Sequence, residues 1–136
     1  MKKLFIRTTW PLIFLATIFL SCDYTEKHDY ASNLLYASTL WVVAVSPPYG
    51  SIAPVTTLIT VVFSENINPA TVDTSTFITS PSIPGTFSVV GTVVTLTPSA
   101  LLIPFITYTV TLPNGGIQAV NGHSLEFTAQ FIFLTN

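Results

Sequence analysis

Basic residues are nearly absent from this chain. Its four lysines and arginines are Lys2, Lys3, Arg7 and Lys27, and from residue 41 onward there is none. Nucleic-acid binding works by displacing phosphate counterions with such side chains, so that function class is excluded. Attraction to anionic lipid head groups fails for the same reason. Cysteine is almost as scarce. Cys22 stands alone, so no disulfide can form within the chain and stability has to come from apolar packing. A long hydrophobic run is missing too: the apolar stretch Trp10–Leu20 is 11 residues, against about 20 for a helix that spans a bilayer.

The position of that stretch says what it is for. Lys2, Lys3 and Arg7 precede it, and Ser21 and Cys22 close it. A basic start, a short apolar segment and a small residue form the order of an export signal. The cysteine that follows resembles the end of a bacterial lipobox, with Phe19 where leucine is usual. That resemblance implies a covalent, palmitate-type lipid on Cys22 and cleavage before it; an ordinary cleaved signal and a retained anchor are the rival readings. Residues 1–21 are therefore expected to be a lipoprotein signal peptide. Residues 22–40 read as the acylated cysteine and a flexible tether, with one helical turn around Asn33–Ala37. From Cys22 onward one positive charge, Lys27, faces six carboxylates, a net of −5 over 115 residues. That length suits one domain with a real core.

Residues 41–136 change character. Val, Ile, Thr and Phe dominate, with Pro and Gly at short intervals, the pattern of an all-β sandwich or barrel. Ile59, Val61 and Phe63 share one face of a strand over 58–63. Ile106, Tyr108, Val110 and Leu112 alternate with threonines, and Phe127, Ala129, Phe131 and Phe133 alternate near the C-terminus. Shorter strands are expected at 42–46, 76–79, 86–90 and 93–97, about seven in all, which is the count of a single sandwich. Pro47-Pro48-Tyr49-Gly50 should end the first strand, because proline cannot donate to a ladder. Asn68-Pro69 suits the start of a helical turn, with Asn68 as its cap. Val90-Gly91-Thr92 reads as a tight hairpin turn.

Six of these segments, in this order, resemble the bacterial Ig-like domain of the S-layer SbsA type. They are Ser46-Pro47-Pro48-Tyr49-Gly50, Val61-Val62-Phe63-Ser64-Glu65, Asn68-Pro69-Ala70-Thr71-Val72, Leu96-Thr97-Pro98-Ser99, Thr107-Tyr108-Thr109-Val110 and Asn121-Gly122-His123-Ser124-Leu125. The resemblance implies a single Ig-like Greek-key β-sandwich, used as a building or adhesive module on bacterial surfaces, without catalytic residues. This chain departs from the pattern at Ala119 and His123, where the family carries Asp and Asn around the glycine of its last hairpin.

Searching for chemistry yields little. Nucleophilic catalysis needs a nucleophile with a base in reach, and the only histidines are His28 in the tether and His123, read as an exposed loop residue. No Gly-x-Ser-x-Gly elbow occurs. Glu65, Asn66, Asn68 and Asp73 place oxygen ligands around one loop, a weak calcium candidate that lacks the dense alternation of dedicated sites. The expected cofactor list is therefore empty apart from the lipid on Cys22. Leu58, Val62 and Ile132 fall on outward strand positions, and Leu101–Phe105 is an apolar run in a connection. Exposed apolar patches commonly mark partner sites. The expectation is a lipid-anchored, non-catalytic module of the bacterial cell envelope, outer membrane or cell surface, that contacts envelope or host-surface proteins and meets the membrane through its lipid. The alternative is a glycan or small-ligand module using Trp41 and Tyr49 as an aromatic platform.

Overall fold

The computed structural model describes residues 39–136. Cys22, the segment before it and the tether reading up to residue 38 lie outside the described residues. Eight strands follow in order: β1 (Val42–Ser46), β2 (Ser51–Ala53), β3 (Ile59–Phe63), β4 (Ile78–Ser80), β5 (Gly85–Val90), β6 (Val93–Pro98), β7 (Thr107–Leu112) and β8 (Ala129–Thr135). One sheet runs β1-β3-β6-β5 and the other β2-β8-β7-β4. This is the Ig-like, Greek-key sandwich expected from the resemblance.

Period-two alternation builds the core. Ile59, Val61 and Phe63 face inward from β3, Val94 and Leu96 from β6, Tyr108, Val110 and Leu112 from β7, and Phe131 and Phe133 from β8. Tyr108 and Phe133 stack, with ring centroids 5.6 Å apart and planes 17° from parallel. Phe77 and Phe87 close the core beside them at 5.4 Å. The β5–β6 hairpin turns on Gly91, whose φ of +60° suits glycine at the first position of a two-residue loop.

The strand count is eight, one more than alternation suggested. The addition is β2, three residues long and parallel to β8, too short to show a period. Pro47 and Pro48 end β1, and the chain then crosses to the other sheet. Two further boundaries move. Phe127 is 73% exposed: the β7–β8 ladder stops at Leu112 opposite Ala129, so the inward parity that Phe127 would continue has no sheet beneath it. The strand expected at 76–79 begins at Ile78, because Thr76 is held in a turn by the Asp73 side chain. At the other end Leu40, read as tether, is 1% exposed and bridges Leu125; the domain core already includes it.

Topology gives the sandwich two unlike ends. At one, the chain enters beside Leu125, and the connections after β3, after β7 and before β4 carry Glu65, Asp73 and Glu126. At the other lie the connections 54–58, 81–84 and 99–106, without a charged side chain.

Candidate functional site

The surface divides into two sheet faces and two ends. Among the described residues, no strand carries an Asp, Glu, Lys or Arg. On the outer face of the first sheet, Ser46 lies opposite Thr60, Thr60 opposite Thr95, and Thr95 opposite Ser88. A row of hydroxyls thus crosses all its strands, with the Thr60 and Thr95 oxygens 3.4 Å apart. Beside it runs an aliphatic row, Ala44, Val62, Val93 and Val90. On the second sheet Thr107, Thr109 and Thr111 stand opposite Leu134, Ile132 and Gln130, and the Gln130 amide donates to Thr111 at 3.0 Å. Such faces carry no charge to desolvate on contact, and interface cores are themselves depleted in charge.

At the carboxylate end, residues far apart in sequence meet. His123 Nδ1 donates to Glu65 at 2.9 Å, Asn121 donates its side-chain amide to the same carboxylate, and Asn121 Oδ1 accepts from the His123 amide at 3.1 Å. His123 is therefore not the free loop histidine expected but a half-buried partner of Glu65. The hairpin that departs from the family pattern is tied down after all: Ala119 N–H donates to the His123 carbonyl at 2.8 Å. No local signal could have revealed the pair, since 58 positions separate the two residues.

The His123 hydrogen bond is the main reason the Glu65 carboxyl is held below its ordinary value of 4.5; burial works against it and Asn121 adds to the depression. A carboxylate with a depressed folded pKa adds stability that is complete above the unfolded value and is lost as the pH falls through the folded one. Glu65→Gln is therefore expected to destabilise the domain at neutral pH by about 0.2–1 kcal/mol, the range for a partly exposed pair. Its melting temperature should converge on wild type as the pH drops below 4.5. A gap of constant size across that range would count against the pairing.

The weak calcium candidates are directed to separate tasks. Glu65 serves His123, Asn68 accepts from the Ala70 amide as a cap, and Asp73 accepts from Ser75 and from the Thr76 amide. These hydrogen bonds also hold the Asp73 carboxyl below its ordinary range, Ser75 foremost. Among the described residues, no three metal-ligating side chains converge.

The apolar end is the more unusual surface. An open groove of about 430 Å³ lies between Val55, Thr56 and Leu58 on one side and Thr97–Leu101 on the other. A second, of about 190 Å³, lies across Leu101 against Pro81–Pro84 and Tyr108. Between and beyond them Leu101, Ile103 and Phe105 project into solvent, while Leu102 turns inward and is buried.

The structure does not gather the expected partner residues into one patch. Leu58 precedes β3 at the rim of the larger groove, and Val62 is half-buried in the aliphatic row. Ile132 is half-buried on the other sheet, so equal parity sends it to the opposite face of the sandwich. Trp41 and Tyr49 are both exposed but flank β1 at its two ends, about 17 Å of strand apart. They form no common platform.

The bacterial Ig-like domain family matches residues 37–135. No curated protein sequence matches the chain. Among solved structures, an L,D-transpeptidase from Mycobacterium smegmatis is similar at 19% identity and a TM-score of 0.55, over 71% of this chain and 40% of that one. The S-layer protein rSbsC(31-844) is similar at 24% identity and a TM-score of 0.55, over 80% of this chain and 15% of that one. This chain thus spans less than half of either protein, and the likeness is one of fold.

Proposed function

The chain belongs to the bacterial Ig-like domain family, and from that premise we propose a lipid-anchored, non-catalytic module of the cell envelope with a structural or adhesive role. The observation that carries this reading is the absence of charged side chains from every strand of the described residues. Both sheet faces are hydroxyl and aliphatic, suited to lying against another protein surface at small desolvation cost. The non-catalytic part is supported by His123, whose ring nitrogen is directed to Glu65 rather than to a hydroxyl. Location rests on the basic start, the 11-residue apolar segment and Cys22.

Two measurements test the reading. Metabolic lipid labelling of the wild type should mark the protein, and Cys22→Ala should abolish the label and release a folded domain into the soluble fraction. An unlabelled wild type would sink the anchor. For the faces, Thr95→Lys and Thr109→Lys each place a charge on one sheet. Loss of envelope cross-links with one of them identifies the contact face; unchanged cross-links with both remove the adhesive role.

A further inference from the structure

Among the described residues the sheets end on four edge strands, β1 and β5 in one, β2 and β4 in the other. An open edge offers unpaired N–H and C=O groups to any other strand, and proteins guard it with short strands, bulges, proline or charge. All but one of these edges are guarded. β1 slips register between Val42 and Ala44 and runs into Pro47. β2 and β4 are three residues each, with Pro54 and Pro81 directly after them. β5 has none of these devices: its register is unbroken from Gly85 to Val90, without charge or proline.

Hydrogen bonding fixes which groups β5 offers. Phe63 N–H donates to the Thr92 carbonyl at 2.8 Å. Along β6, therefore, Val94 and Leu96 turn their backbone toward β3, while Val93, Thr95 and Thr97 turn theirs toward β5. Those residues pair with Val90, Ser88 and Thr86, which are thus bonded to β6. Phe87 and Val89 lie between them and direct N–H and C=O to the open edge, where no other described segment bonds to them. Their side chains are half-buried on the inner face, and Ser88 is exposed on the outer one.

We propose that β5 pairs antiparallel with β5 of a second copy, about a two-fold axis at Ser88, joining the two first sheets into one. Phe87 of each copy then stands opposite Val89 of the other, and each such pair exchanges both N–H···O bonds. The side chains match in this register. Phe87 against Val89 sets an aromatic ring beside a β-branched residue, a favourable cross-strand pair. Ser88 meets Ser88, so the hydroxyl row of Ser46, Thr60, Thr95 and Ser88 continues unbroken into the second copy.

Charge selects the same orientation. The β5–β6 hairpin turns at the carboxylate end, where Ile67 N–H donates to the Gly91 carbonyl at 2.9 Å. Antiparallel pairing sets that end, with Glu65 and Asp73, beside the uncharged 81–84 and 99–106 connections of the second copy. Parallel pairing would set acid beside acid. A two-fold contact needs only a patch that fits itself, and this strand does; a foreign strand would have to supply the same residue order. The contact uses an edge and leaves both sheet faces free, so it stands apart from the face contacts proposed above.

The test uses the chain from residue 22 onward with Cys22→Ser, which keeps the whole core and removes the native thiol. Sedimentation should show a concentration-dependent monomer–dimer equilibrium. Ser88→Cys should give a disulfide-linked dimer under mild oxidation. Facing residues of a non-hydrogen-bonded pair lie about 4.5 Å apart at Cα, within the about 4.4–6.8 Å that a disulfide spans. Thr86→Cys, which faces Val90 of the second copy, should not cross-link. Ser88→Lys and Ser88→Glu should each weaken the dimer at least about tenfold by like-charge contact, and mixing the two should restore it. Both should stay folded, because Ser88 is exposed. Val43→Lys, on the bulged β1 edge, should leave the equilibrium unchanged. A chain that stays monomeric at every concentration overturns the proposal, as do cross-linking through Thr86→Cys in place of Ser88→Cys and charge variants that fail to rescue each other. Loss of the dimer with Val43→Lys alone, or a Ser88-dependent complex with a different protein and no dimer, overturns it equally.

Discussion

Phe133→Ala should lower the stability of the domain by about 3–5 kcal/mol, the usual cost of truncating a buried phenylalanine. The ring is 1% exposed and stacks on Tyr108, so its removal leaves a void between two strands that pair along their whole length. Small domains are stable by about 5–15 kcal/mol, and this one has no disulfide within it to limit the loss. The variant should therefore unfold at much lower urea, with an unchanged slope if only the folded state is affected. A midpoint close to wild type would mean that the sheets can close over the gap, contrary to the tight inward packing of β7 and β8.

Thr135→Val should cost about 1–3 kcal/mol for each polar group it strands. The side chain is fully buried and near in shape to valine, but its hydroxyl both accepts from Ile106 N–H and donates to the Ile103 carbonyl. Valine leaves both without a partner in a site closed to water. Thr135→Ser keeps the hydroxyl and should recover most of the loss, which separates hydrogen bonding from packing. The measurement is equilibrium unfolding of the three proteins. Equal stability of the valine variant would show that the loop relaxes to reach water.

Much of the architecture was written in local pattern. The alternation around Tyr108 and Val110, the Gly91 hairpin and the Asn68 cap each depend on neighbours within a few residues, and each was readable. Three residues at β2 could not be, since a strand that short shows no period and is defined by pairing with Phe133–Thr135 some 80 positions away. The same holds for function. The apolar run at Leu101–Phe105 is visible in sequence, but the way it is held comes from distant partners: Tyr108 Oη accepts from Ile103 N–H and the Thr135 carbonyl from Phe105 N–H. The sheet to which Ile132 belongs, and hence its separation from Leu58 and Val62, is likewise a product of topology.

The parallel pairing of β2 with β8 has a mechanical consequence. The chain enters at Leu40 beside Leu125, at the end opposite the 99–106 loop. A load applied between that point and the far end runs along the strands. The β1–β3 and β2–β8 hydrogen bonds then lie across the pull and must yield together, as in shear, instead of one after another, as in peeling. Pulled in this direction, the sandwich resists as a block.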